Sequence, residues 1–194
     1  MNYTAEIQHS ETTFRRLSKV QHNEYGKPLK LTMSAMGLVA LLIGLSSGFS
    51  STPAIIMLFV GCWIFTSLNL PAQRNAEKLI ELAAGDFPRT RYQFLSNEIR
   101  LTSEDSSGDI TTTLDYRKIY DILEDKEYLY LFLSRSAGYM IPKASVRPAD
   151  LSSFIAFLEE KIGLQRHAVT NMLSANLHTV LKQRKARKAR SQQQ

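Results

Sequence analysis

The chain has 194 residues, 44% of them hydrophobic, with a formal net charge of +6 and one cysteine. That length holds a pair of membrane-length helices and one small soluble domain, and the lone Cys62 excludes an intrachain disulfide framework. The positive excess is local: residues 165–194 carry seven basic side chains and no acid, whereas the rest holds 17 basic and 18 acidic residues.

Residues 2–8 alternate Tyr3, Ala5 and Ile7 with polar neighbours, the period of a strand. Ser10 suits an N-cap, with Glu11 well placed in the first helical turn. Phe14, Leu17 and Val20 then recur at helical spacing, with Arg15, Arg16 and Lys19 on the other faces. Residues 1–30 thus read as a strand and a short amphipathic helix. That helix either lies at a membrane surface or is an ordinary solvated one.

Residues 31–70 contain no Asp, Glu, Lys, Arg or His. The hydrocarbon of a bilayer is ~30 Å thick and is crossed by about twenty apolar helical residues. Two spans are therefore expected, 31–48 and 53–70, turning where Gly48, Ser50 and Ser51 precede Pro53. The competing reading is a buried helical pair, which needs a larger soluble protein around it. The first apolar run is followed at once by a second, a pattern unlike a secretory signal.

Ala40, Gly44 and Gly48 form a row of small residues spaced by four, with Gly61 as the opposing candidate on the second span. Such a row packs the hairpin on itself or joins two copies into a homo-oligomer. Neither span carries an ionisable group to mark an ion path, which argues against a channel or transporter made by this chain alone. Arg15, Arg16, Lys19, Lys27 and Lys30 precede the hairpin, Arg74 and Lys78 follow it, and the connecting loop has no basic residue. The positive-inside bias then puts both termini in the cytoplasm of a multi-pass inner-membrane protein.

Residues 71–88 read as a linker helix, with Ala72, Ala76, Leu79, Ile80 and Ala83 on one side and Gly85 as its stop. From residue 89 the period becomes two. Strands are expected over 91–95, 98–102 and 109–116, with 103–108 as a hairpin loop. Residues 117–123 should continue the sheet, 124–126 turn it, and 128–133 and 139–141 complete it. Leu151, Phe154, Ile155, Leu158 and Ile162 then mark a helix between Asp150 and Gly163. Residues 89–163 are thus an antiparallel sheet covered by one helix, and the fold class is α+β.

This second half resembles the C-terminal domain of the YcxB-like bacterial membrane proteins. The resemblance is carried by Phe94, the turn Ser96-Asn97-Glu98-Ile99, the run from Tyr116 to Glu124, the apolar strand 128–133, and Ile141-Pro142-Lys143 before the last helix. The family often has Trp where this chain has Tyr116, and Gly where it has Glu98. The resemblance implies a small pleckstrin-homology-like β-domain on the cytoplasmic face. It implies no activity.

Residues 164–194 return to helical spacing, with Val169, Met172, Leu173, Leu177, Val180 and Leu181 in one stripe. The cluster Lys182, Arg184, Lys185, Arg187, Lys188 and Arg190 follows, and an anionic lipid surface is its first-ranked partner. A merely solvated tail ranks second. Nucleic acid ranks last, because no aromatic residue after Phe157 is available to stack on bases.

No phosphate loop, nucleotide fingerprint or nucleophile elbow is present. His9, His22, His167 and His178 have no partners at metal-ligand spacing, and the last two read as surface residues of the tail helix. Glu124 and Asp125 read as solvated turn residues. The expectation is accordingly no catalytic, cofactor or metal site. The chain should be a non-enzymatic membrane protein displaying its β-domain to an unknown protein partner or to the membrane. The alternative is an accessory subunit of a membrane enzyme or transporter complex.

Overall fold

The structure, a computed structural model, describes residues 2–48, 51–106 and 108–169. The basic cluster from Lys182 to Arg190 lies outside the described residues, as do Met172, Leu173, Leu177, His178, Val180 and Leu181.

The chain opens on strand β1 (Tyr3–Gln8), whose Tyr3, Ala5 and Ile7 point inward and whose polar residues point out. Helix α1 (Glu11–Tyr25) starts at a reciprocal cap: the Ser10 side chain accepts from the Thr13 N–H, and the Thr13 hydroxyl closes back on the Ser10 backbone. Gly26 joins it to α2 (Lys27–Ser46). Helix α3 (Thr52–Ser67) follows, capped by Ser51, and then α4 (Leu70–Ala83), with α3 and α4 bent by 45° at the break. The second apolar helix therefore stops three residues short of the expected 70. Thr66 and Ser67 lie at its end and donate their hydroxyls to the Trp63 carbonyl, a local competition that bends helices.

Helix α2 lies against α3, and α1 lies against α4. The four helices thus make one long hairpin in two storeys, with Ala72 and Ala76 of α4 buried against α1.

Strand β2 (Arg89–Phe94) then pairs antiparallel with β1 along its whole length, from Tyr3↔Phe94 to Gln8↔Arg89. The helical hairpin is thus an insertion between two neighbouring strands of one sheet. Strands β3 (Glu98–Asp105) and β4 (Gly108–Asp115) complete that sheet in the order β1-β2-β3-β4. They run closer to their turn than the expected 103–108 loop allows, meeting at Asp105↔Gly108.

Residues 117–123 do not continue the first sheet. A single 3-10 turn, Tyr116–Lys118, carries the chain into a second one, because Asp115 accepts the Arg117 N–H and the buried Tyr116 anchors its hydroxyl on the Leu95 carbonyl. The second sheet comprises β5 (Asp121–Glu124), β6 (Tyr128–Phe132), β7 (Gly138–Pro142) and the short parallel β8 (His167–Ala168), in the order β7-β6-β5-β8. The sheets meet where β1 packs near β7 and Thr4 bridges Arg147.

Helix α5 (Leu151–Ile162) closes the core. It is capped by Asp150 on the Ser153 N–H and ended by Gly163 in the left-handed conformation. Phe154, fully buried, packs on Phe94 at 4.8 Å and on Tyr3 at 5.1 Å between ring centroids. The N-terminal strand, the domain it completes and its last helix therefore share one core. The molecule is a mixed α+β protein; among the described residues it has five α-helices and two sheets, antiparallel throughout except where β8 joins β5.

Candidate membrane interface

Along α2 and α3 the side chains divide by size. Small residues lie between the helices: Gly37, Ala40 and Gly44 of α2, with Ala54 and Gly61 of α3, are buried. A methyl group on Gly61 would come within 2.6 Å of Leu41, and one on Gly44 within 2.8 Å of Leu58. Gly48 stands apart from this contact. Its φ of +76° serves the turn, and nothing lies within 4 Å of the position a Cβ would take. Gly37, whose methyl would reach Phe65 at 3.0 Å, belongs to the contact and breaks the spacing of four visible in sequence.

Large residues lie outside. Phe59 is 73% exposed, Trp63 68%, Leu42 56% and Val39 55%. Among the described residues beyond the hairpin storey, the exposed large apolar or aromatic side chains are Leu70, Leu82, Ile110 and Tyr120. Helix α2 is long and apolar enough to cross a membrane, and 22% of its apolar window is buried, too little for a core helix. Helix α3 has 16 residues, about 24 Å at 1.5 Å per residue, and reaches spanning length only together with the bent α4.

A polar knot marks the lower end of this storey. Lys30, almost fully buried, donates to Asn23 Oδ1 at 2.6 Å and to Asn69 Oδ1 at 3.2 Å, so it ties α1, α2 and the α3–α4 break together. His22 bonds through Nε2 to the Leu68 carbonyl at 2.9 Å, satisfying an oxygen that the break would otherwise strand. Lys27 pairs with the buried Glu24 at 2.9 Å. Beside the knot a groove of about 300 Å³ runs between α1, α4 and the β6–β7 loop, lined by Gln21, His22, Tyr25, Asn75 and Arg135. Lys30, one of the basic residues that precede the hairpin, is thus also a structural tie.

The apolar face of α1 is covered by protein. Val20 is buried in the core and Leu17 and Tyr25 pack on it. Further up the helix, Arg16 reaches β5 and β6: its Nη2 lies 3.0 Å from Asp125 Oδ2, it pairs with Glu127, and its guanidinium sits 4.4 Å from the Tyr128 ring centroid. Asp125 also accepts from the Tyr130 hydroxyl at 2.6 Å and from the backbone N–H groups of Glu127 and Tyr128. Glu124 pairs with Lys143 and with Arg166. These two acids are therefore fasteners rather than solvated turn residues. His167 is not on a tail helix either. Its Nε2 lies 2.9 Å from Asp121 Oδ1, whose other oxygen accepts from the Tyr25 hydroxyl at 2.9 Å, so β8 is tied to the end of α1.

Burial alone would raise the Asp125 pKa, but the hydrogen bonds from Tyr130, Tyr128 and Glu127 and the Arg16 charge outweigh it and hold the carboxyl below its ordinary 3.8. A depressed carboxyl stabilises the fold above its unfolded value and loses that contribution as pH falls through the folded one. Asp125→Asn should therefore cost about 1–3 kcal/mol at neutral pH. It should also flatten the fall of thermal midpoint below about pH 4. Midpoints measured from pH 7 to 3 check this; parallel wild-type and variant curves would remove Asp125 as the cause. His9 adds an earlier decline. Burial lowers its pKa from 6.5, so the folded state disfavours the imidazolium and loses stability as pH drops below that value.

Among the described residues no group of three or more His, Cys, Asp or Glu side chains is placed to hold a metal ion. Residues 94–158 match the family model described as YcxB-like protein, about a third of the chain, from the end of β2 to the last turns of α5. No curated protein and no solved structure matches the chain.

Proposed function

We propose that this chain is a non-enzymatic membrane protein whose α2–α3 hairpin is seated in the bilayer and whose YcxB-like β-domain is held at the cytoplasmic surface. The observation that carries the reading is the apolar girdle of α2 and α3, large side chains outward and glycines inward. Soluble monomers rarely expose apolar patches beyond a few hundred Å², and such a girdle in water costs roughly 25 cal/mol per Å². In lipid the same surface is at no disadvantage, and small residues are what a helix pair needs between its members. The pairing of β1 with β2 supports the topology independently, because both ends of the hairpin must return to one sheet. A chain so tied crosses the membrane an even number of times.

We read the four-stranded first sheet, the β7-β6-β5-β8 sheet and the closing helix as a pleckstrin-homology-like arrangement, whose open rims suit partner binding or membrane sensing. A homo-oligomer of this protein would meet through the outer faces of α2 and α3, since Gly44 and Gly61 are already used within one chain. The tail cluster Lys182, Arg184, Lys185, Arg187, Lys188 and Arg190 is read as an anionic-lipid contact in the same bilayer.

Topology reporters ahead of Met1 and after Gln194 should both read cytoplasmic, and the chain should stay in the membrane fraction after carbonate washing. Ends on opposite sides, or release by the wash, would overturn the reading. Replacing the six basic tail residues by Gln should leave that insertion intact while weakening contact of the tail with anionic vesicles. Each Lys or Arg contributes about 1 kcal/mol there, screened beyond ~8 Å at physiological salt. Lipid cross-linking from a photoreactive group at Ser191 checks this, and equal yields with neutral and anionic lipid would remove the role.

A further inference from the structure

The two ends of α1 carry different charge. Its first turn carries Glu11, paired with Arg15, and Gln8 and His9 bond there to the Phe87 and Pro88 carbonyls, which brings Asp86 and Asp109 to the same end of the domain, with Glu104 there already paired with Arg91. Its last turn meets the opposite kind of surface. Gln21 donates to the Arg135 carbonyl at 2.7 Å, and the Tyr25 ring lies 6.1 Å from that of Tyr120, which follows the exposed Lys118 by two residues. Lys19 is exposed on the same stretch of α1 and Lys27 begins α2.

The acids at this basic end are occupied. Glu24 is buried on Lys27, and Asp121 is buried between Tyr25 and His167. Asp115, exposed, accepts the Arg117 N–H. Tyr120 is itself 36% exposed.

We propose that this rim, Lys19, Lys118, Tyr120 and Arg135, rests on the anionic phospholipid headgroups of the bilayer that holds the hairpin. The proposal rests on the membrane reading above and adds a lipid contact made by the β-domain itself. The Tyr25 ring that meets Tyr120 lies two residues before α2 begins at Lys27, so the rim stands at the end of the β-domain where the chain enters the apolar storey, and attraction there is screened over ~8 Å at physiological salt. Tyrosine beside basic residues is the composition favoured at that depth. Swinging the domain over would bring Asp86 and Asp109 to the anionic surface instead, so the placement of charge specifies one orientation as well as an attraction.

The test uses the full chain with Cys62→Ser and a fluorophore on Ser136→Cys, reconstituted in vesicles that contain a headgroup-spin-labelled lipid. With phosphatidylglycerol present the fluorophore should be quenched more than in pure phosphatidylcholine. High salt, or Lys118→Glu with Arg135→Glu, should reverse the gain, each lost charge shifting the docked population by about fivefold. The same fluorophore on Thr111→Cys, at the far end of the domain, should show no such dependence. Quenching at 136 that ignores both phosphatidylglycerol and salt, in a chain that floats with vesicles, overturns the proposal alone. A chain that does not float overturns the membrane reading and the proposal with it. The salt series on the chain with native charges decides the matter even where the charge-reversed variant misfolds.

Discussion

Gly61→Leu is expected to pry α2 from α3. The Cα of Gly61 faces Leu41 and the Gly37 carbonyl so closely that even a methyl would sit 2.6 Å from Leu41 Cγ and 3.0 Å from that oxygen. The side chain can move, but the backbone oxygen cannot without shifting the helix. Overpacking of this kind costs about 1–3 kcal/mol in well-packed cores. With the hairpin in lipid, as proposed above, the loss is not offset by a hydrophobic drive to reassociate, because tails solvate the separated faces equally well. Gly44→Leu should act similarly through Leu58 and the Ala54 carbonyl. Gly48→Leu separates contact from conformation. It meets no neighbour, so any cost there comes from forcing a branched residue to φ +76°, about 1–2 kcal/mol. Thermal midpoints in detergent and the yield of a disulfide engineered across α2 and α3 read both effects. An unchanged yield in Gly61→Leu would show that the helices meet elsewhere.

Phe154→Ala should be the most damaging single truncation in the β-domain. The ring is fully buried and touches Phe94 of β2 and Tyr3 of β1, and neighbouring Phe157 contacts Tyr3 and Tyr116. Phe→Ala in such a core costs about 3–5 kcal/mol through lost transfer energy and the cavity left behind. Because Tyr3 is one of its neighbours, the loss should be felt at the N-terminus: amide protons of β1 should exchange faster, along with those of β2. Faster exchange in α5 alone, with β1 unaffected, would mean that the helix is not what holds the first strand.

How far the sequence led depends on the range of the interaction concerned. Local chemistry was legible: Ser10 and Asp150 as caps, Gly163 as a stop, the alternation of Tyr3, Ala5 and Ile7, and the five apolar positions of α5 all stand where their spacing put them. What β1 pairs with was not legible, because its partner lies some eighty residues on and any exposed strand edge offers the same hydrogen bonds. The small-residue row was legible as a pattern but not as a contact. Gly37 enters, and Gly48 leaves, because the register of α2 on α3 is set by the bulk of Leu41, Leu58 and Phe65, which a spacing rule ignores. Glu124 and Asp125 looked like turn acids for the same reason. The residues that engage them, Arg16, Lys143 and Arg166, come from three different parts of the chain.

The insertion of the hairpin between β1 and β2 also sets an order of events during synthesis. Tyr3–Gln8 leaves the ribosome before the helical insertion, and its partner Arg89–Phe94 follows only after the whole insertion has been made. At roughly 5–20 residues per second the first strand waits on the order of ten seconds with its edge open, while the helical insertion is still being made. Closing so long a loop is entropically dearer than closing a hairpin turn by only about 2–3 kcal/mol. The delay, more than the energy, is then the hazard. A strand of six residues with alternating charge-bearing Glu6 and polar Gln8 on its outer face is a poor template for stray pairing. Strand β1 is thus built to wait, and the sheet becomes whole only once the insertion has found its place.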